Sequence, residues 1–380
     1  MNLSARSRNE EFLIQEDIAR EKESFQKEFF CGSVPQNEHQ TSGETVRNRV
    51  ELFAIVFAIC VSATLASAQP IPVRLSYSAP SGSNSPPWMA KELGLFDRHG
   101  LQVSMIYIGG GTRPVSVVLA GETDFTIVTG PPSVLAKLSG GDTVILATFI
   151  NGLTVSIVAR PEITKPSDLK GKNMAVSRFG VIGDFATRIA LKRWGLTPFK
   201  DVGIIQMGGL PEAFAALKAG AVQAAAFTPP LSTDAKRQGM VELLDMSGSD
   251  IEFANTGLVA TVRYVSQHPE ATRRVVRAIV EGIWAFKANR EAAIRAVQKY
   301  TRVADRGVLE ETYAIFRKDL KNVPRTTDGA IRRVLEGFVD DDPRARTAKP
   351  ADFYNTRFID ELEQTGFTKE LAGRYPDAVR

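Results

Sequence analysis

The chain has 380 residues, 43% hydrophobic and 24% charged, with 47 basic against 43 acidic side chains and a formal charge of +4. This is a globular composition without collagen-like, mucin-like or disordered bias, and its length suits two or three domains. Two cysteines (Cys31, Cys60) and three histidines (His39, His99, His268) are too few for a disulfide framework, a zinc finger or an iron–sulfur site.

Residues 1–45 are densely charged, without long apolar periodicity, and are expected to be poorly ordered. Val46-Arg47-Asn48-Arg49-Val50 is basic, Leu52–Ala66 is an almost unbroken apolar run, and Ala66-Ser67-Ala68 follows. That order describes a secretory signal peptide over 46–68, with an apolar run below the ~18 residues of a membrane span. No methionine lies between Met1 and Met89, so translation is expected to start at Val46 or Val50, with residues 1–45 an upstream extension of the gene reading. Cys60 follows Phe57-Ala58-Ile59, which does not suit lipid attachment, and reads as a small apolar residue of the signal core. Cleavage after Ala68 leaves a cysteine-free chain with 40 basic and 33 acidic side chains, a net +7.

From Pro72 onward strand and helix patterns alternate. VRLSYSA, LQVSMIYI, DFTIVTG, TVILATFI and TVSIVAR read as strands, and PPWMAKELGLFDRHG, TRPVSVVLAG and PPSVLAKLSGG as helices between them. A second series follows from Lys165. KNMAVS, DVGIIQM, VQAAAFT and VELLDM are strands, with helices at GDFATRIALKRWG, PEAFAALKAG and PLSTDAKRQG. Such alternation predicts parallel sheets covered by helices on both faces. After TGLVATVRYV the pattern turns helical, over His268–Arg302, Asp305–Leu320, Gly329–Phe338 and Asn355–Thr365. His99 falls in a helix-to-strand turn and is expected to be exposed, as is His268 before Pro269.

Ser85-Pro86-Pro87-Trp88, Gly130-Pro131-Pro132-Ser133 and Thr228-Pro229-Pro230-Leu231 each follow a strand and open a helix. Proline suits a helix start, and the small or hydroxylated residues before it are expected to cap. These turns lie at the carboxyl ends of strands, where open α/β sheets bind ligands.

In order and spacing, WMAKELGLFDRHGLQV, the Gly109-Gly110-Gly111 turn, VVLAGETDF, KPSDLKGKNMAV, EAFAALKAGAVQAA and HPEATRRVVRAIVEGIWAFKANREAA resemble the periplasmic substrate-binding proteins of the nitrate/sulfonate/taurine transport type. The resemblance, which extends to relatives of thiamine-pyrimidine-binding proteins, covers most of residues 72–300. It implies an α/β, two-lobed periplasmic-binding-protein fold of type II-like character, with a hinge and a helical C-terminal tail. Residues 69–157 plus 258–380 would form lobe one and 158–257 lobe two, crossing near Thr154–Arg160 and returning near Gly257–Arg263. Closure of the cleft on a ligand is the implied motion.

On this reading the cleft is lined by Ser78, Asn84, Ser85, Trp88, Gly110, Thr112, Thr129 and Gly130 from lobe one. Ser177, Arg178, Gly180, Asp184 and Thr228 face them from lobe two. Glycine-turn N–H groups and hydroxyls supply donors for an anion, and Arg178 a fork for a sulfonate or carboxylate. Each has a plainer reading. Trp88 can be core, Arg178 solvated, and Asp184 a helix cap whose charge opposes an anion.

The resemblance implies the solute-binding component of an ATP-driven importer: periplasmic, monomeric, and partnered by a small organic anion, a membrane permease and an ATPase. It implies no catalytic residue, cofactor, metal or nucleic acid. Enzyme relatives on this fold depend on cysteine motifs that residues 69–380 lack. No G-x-S-x-G elbow, phosphate loop or metal-ligand cluster is present, and Arg273, Arg274, Arg277, Arg332 and Arg333 alternate with acids as solvated faces. The competing readings are a periplasmic sensor subunit presenting ligand to a receptor kinase, and a cysteine-independent enzyme on the same fold.

Overall fold

The structure is a computed structural model that describes residues 69–249 and 251–379. The expected upstream extension and signal segment lie outside the described residues. The first series contains β1 (Ile71–Tyr77), α1 (Ser85–Glu92), α2 (Leu95–Arg98), β2 (Leu101–Tyr107), α3 (Thr112–Leu119), β3 (Phe125–Thr129), α4 (Gly130–Leu138) and β4 (Thr143–Thr148). The second contains β5 (Ser156–Ala159), β6 (Asn173–Val176), α5 (Ile182–Arg193), β7 (Gly203–Gln206), α6 (Leu210–Lys218), β8 (Ala224–Phe227), α7 (Leu231–Arg237) and β9 (Val241–Asp245). The chain returns through β10 (Thr256–Thr261). It ends in α8 (Val262–Gln267), α9 (Pro269–Ala288), α10 (Arg290–Thr301), α11 (Arg306–Asp319), α12 (Asp328–Phe338), α13 (Arg357–Gln364) and α14 (Phe367–Arg374). Gly366 breaks α13 from α14, a helix the sequence reading did not place.

The strands form two five-stranded sheets, ordered β2-β1-β3-β10-β4 and β7-β6-β8-β5-β9. The two lobes are therefore wired alike. Neither sheet is purely parallel, which corrects the expectation from the alternating pattern. β10 runs antiparallel to both β3 and β4, and β5 antiparallel to both β8 and β9. Each reversed strand is the one that the crossing chain delivers. All three of β4, β5 and β10 are buried along their whole length, so their hydrophobic pattern carries no sign of direction.

The connections between lobes are residues 149–155 outward and 246–255 on the return. They lie side by side, with Asn151 bridged to Ala254 and the Asn255 N–H donating to the Ile150 carbonyl at 3.1 Å. Lobe one packs on α9, whose Val275, Ile279, Ile283 and Phe286 recur at helical spacing and are buried against Leu75, Phe125 and Leu146. Burial of each such side chain stabilises by about 1.5–3 kcal/mol. Of the later helices, α13 and α14 stay with that core through Phe358, Ile359, Leu362, Phe367 and Leu371, but α12 does not. Ile331, Val334 and Phe338 of α12 join a second core with Phe185 and Phe253, and Phe338 meets Phe185 edge-on at 5.0 Å. No helix among the described residues is long and apolar enough to cross a membrane.

A buried acid ties the tail down. Glu281 of α9 is 1% exposed and accepts from Arg374 at 2.6 Å and Tyr375 at 3.1 Å, with His99 Nε2 at 2.7 Å. His99 is thus a partner in this cluster, not the exposed turn residue expected. Burial alone would raise the Glu281 pKa, but the hydrogen bonds from His99, Arg374 and Tyr375 and the charge of His99 outweigh it and hold it at about 2. A lowered carboxyl contributes stability above its unfolded value of 4.5 and loses it as pH falls from there through about 2. Glu281→Gln is expected to lower Tm at pH 7 by roughly 5 °C, with the gap to the parent shrinking between pH 4.5 and 2.5 in a thermal-melt series. A gap that stays constant across that range would remove the role of the ionised carboxylate.

Candidate ligand-binding cleft

Parallel strands followed by helices place every strand-to-helix turn at one edge of a sheet. Here the two edges face each other, and six helices begin at the cavity between them. Asn84, Gly111 and Thr129 stand at the starts of α1, α3 and α4, and Val181, Leu210 and Thr228 at or just before α5, α6 and α7; all six line the cavity. Their amide ends give it a positive field. The cavity volume is about 50 Å³, which is room for roughly three or four waters or one small head group. Its remaining wall is Ser78, Ala79, Ser81, Ser83, Gly110, Val155, Ser177, Ile182, Gly183, Ala226, Asn255 and Thr256. Among the described residues, none that lines it carries a charge.

The double prolines act differently from the expectation. Asn84 and Thr129 occupy the cap positions of α1 and α4, yet neither makes a side-chain cap bond. A cap side chain accepts from the second or third helical N–H. In α1 those residues are Pro86 and Pro87, and in α4 Pro131 and Pro132, so there is no N–H to accept from. Asn84 Oδ1 and the Thr129 hydroxyl are consequently buried without a partner, as is the Ser85 hydroxyl beside them. By contrast Thr261, Asp305 and Thr327 do cap α8, α11 and α12, away from the cleft. An unpartnered buried polar group is costly, and it marks a site completed by something else.

The third proline pair serves closure. Thr228 donates to Ser81 Oγ at 2.8 Å, Ser81 Oγ donates to the Pro229 carbonyl at 3.2 Å, and the Gly82 N–H reaches the same carbonyl at 3.1 Å. These bonds join lobe one to lobe two beside the cavity. Farther out, Thr233 of α7 donates to Glu311 of α11 at 3.2 Å, and Arg237 lies 3.3 Å from Asp305.

Of the residues expected at the cleft, Ser78, Asn84, Gly110, Thr129, Ser177 and Thr228 line the cavity. Arg178 stands next to it, its side chain lying across the Gly110 turn with Nε buried and unpartnered. Gly110 has φ +82°, and a Cβ there would collide with Arg178. Ser85 and Thr112 are the first residues of α1 and α3, just behind the wall. Gly130 is pinned to the return connection, its N–H 2.8 Å from the Asn255 carbonyl, with no space for a Cβ against Ala254. Asp184 accepts from the Gly180 N–H at 3.0 Å and pairs with Arg188 at 3.0 Å, so both Asp184 and Gly180 are engaged in closing the turn before α5. Trp88 is fully buried, stacked on Tyr300 at 4.8 Å and edge-on to Tyr77 at 5.7 Å.

Leu210, Val155, Asn255 and Thr256 were not singled out by the sequence. Leu210 opens α6 after a glycine turn and obeys the same strand-to-helix rule as the others. Asn255 precedes and Thr256 opens the reversed strand β10, and no local motif marks them.

A profile of the family described as NMT1/THI5 like matches residues 84–293, more than half of the chain. A binding protein of Brucella abortus is 30% identical over 301 residues, covering 77% of this chain and 91% of that protein. The taurine-binding periplasmic protein of Escherichia coli is 24% identical over 319 residues, 82% of this chain and 92% of that one. In structure, the alkanesulfonate-binding protein of Xanthomonas axonopodis, solved with MOPS bound, superposes with a TM-score of 0.64 at 17% identity. It covers 76% of this chain, and all of its own length is matched. The two wired-alike lobes, the paired crossings and the matched sequence converge on one assignment: this chain belongs to the NMT1/THI5-like family.

Proposed function

We propose that this chain is an exported, monomeric solute-binding protein that captures a small organic anion between its lobes and presents it to a membrane permease and its ATPase. The observation that carries this reading is the pair of orphaned cap residues, Asn84 and Thr129, at helix starts that face an uncharged cavity. Six helix N-termini supply positive potential inside a cavity whose lining side chains are uncharged. The Thr129 hydroxyl is a donor for the anion. Asn84 Oδ1 is an acceptor and calls for an N–H or O–H on the same solute. An aminosulfonate or amino- or hydroxy-carboxylate has both. The taurine-binding relative and the sulfonate-binding structural neighbour support this class. Arg178, at the cleft mouth, sits where it can reach an anion from lobe two, and binding proceeds without covalent chemistry.

Thr129→Val removes a hydroxyl that has no partner in the free protein. Taurine affinity is expected to fall by about tenfold, the usual worth of a hydrogen bond to a charged group, while Tm without solute stays equal or rises. Calorimetry that finds equal affinity would sink the cap-to-solute role. A screen in which sulfonates and small carboxylates all fail to raise Tm would discard the ligand class.

Ser81→Ala deletes the hub of the Thr228–Ser81–Pro229 contact. Small-angle scattering with saturating taurine is expected to show a compact parent and a partly open variant. Superimposable profiles for the two would count against Ser81 as a closure contact.

A further inference from the structure

At the opposite edge of lobe one, away from the cleft, a hollow of about 390 Å³ lies between the end of α3, the start of β3 and α8. That volume falls within the range of small-molecule sites. Its wall includes two guanidinium groups, Arg74 and Arg263, and one carboxylate, Asp124. Asp124 is already taken. Arg74 holds it through Nη2 at 2.6 Å and Nε at 3.3 Å, and the Arg74 backbone N–H adds a bond at 2.7 Å. The Arg263 side chain, by contrast, has no partner among the described residues; only its backbone is used, the N–H donating to Asp142 at 2.9 Å and the carbonyl accepting from the Ser266 hydroxyl at 2.8 Å. The hollow thus presents a free guanidinium fork with its acid already neutralised.

A second observation is independent of charge. Thr123 lines the hollow, is 6% exposed, and its hydroxyl is buried with no hydrogen-bond partner. The same wall carries a ring pair, Tyr264 and His268, with centroids 4.6 Å apart. Tyr264 is held from behind by Phe125, edge-on at 5.2 Å.

We propose that this hollow is a second binding site, for a small aromatic carboxylate. The Arg263 fork matches the two oxygens of a carboxylate. The Tyr264 and His268 rings, tilted 41° to one another, offer aromatic faces and edges against which a ring can pack. The Thr123 hydroxyl meets a polar substituent on it. A bare oxyanion would leave most of the volume and the ring pair unused.

The probes are 4-hydroxybenzoate, benzoate, inorganic phosphate and, for crystal soaks, 4-iodobenzoate. Anomalous scattering is expected to place iodine in the hollow of the parent protein and not in Arg263→Ala. In solution, Arg263→Ala is expected to weaken 4-hydroxybenzoate binding by about tenfold with an unchanged Tm, because its side chain supports no contact in the fold. The parent is expected to prefer 4-hydroxybenzoate to benzoate, and Thr123→Val to lose that preference. Iodine found only in the cleft, or nowhere, overturns the proposal. So does equal affinity in Arg263→Ala. Phosphate binding as tightly as benzoate overturns the aromatic assignment.

Discussion

Strand direction is the constraint on which the rest of the structure depends. Three of the four parallel strands in each sheet send their following helices away from the same edge, so helix N-termini collect there. The lobes turn these two edges toward each other. A polar interior whose lining carries no charged side chain still has a positive potential, since backbone dipoles supply it. The small residues at the turns, Ser78, Gly110, Gly111 and Ser177, let backbone come close to a solute. The prolines keep the cap side chains from closing on their own helices.

The lobes hold one another through an apolar seam, in which Val128 and Val134 share a core with Val176, Ile182 and Phe185, and through polar contacts beside the cleft. Between α7 and the start of α11 the contacts are the Thr233–Glu311 hydrogen bond at 3.2 Å and two ion pairs, Lys236 with Glu311 at 3.8 Å and Arg237 with Asp305 at 3.3 Å. Pairs of this kind contribute about 0–1 kcal/mol each.

Much of this was legible in the residues. The strand–helix alternation, the turns at strand ends and the proline pairs are local patterns, and each maps onto an element or a cavity wall. Strand direction was not legible, because β5 and β10 are buried on both faces and read like their parallel neighbours. Side-chain roles set by distant partners were also hidden. His99 looks like a surface turn residue until α9 brings Glu281 to it across 182 positions of sequence. Trp88 sits one turn from the cavity wall, and only Tyr300 of α10, stacked upon it, assigns it to the core. Asp184 lies within a glycine-rich turn that does line the cavity, but Arg188 one turn later claims its carboxylate.

The place of β10 has a consequence for the order of assembly. This strand fills the gap between β3 and β4, yet it is made only after the whole second lobe. Residues 71–148 therefore cannot complete their own sheet as they emerge. Pairings so distant in sequence form slowly, because the intervening loop must close before the contact gives anything back. The result is a chain whose first lobe stays unfinished until nearly two thirds of the molecule exists. Folding is completed by the strand that arrives last.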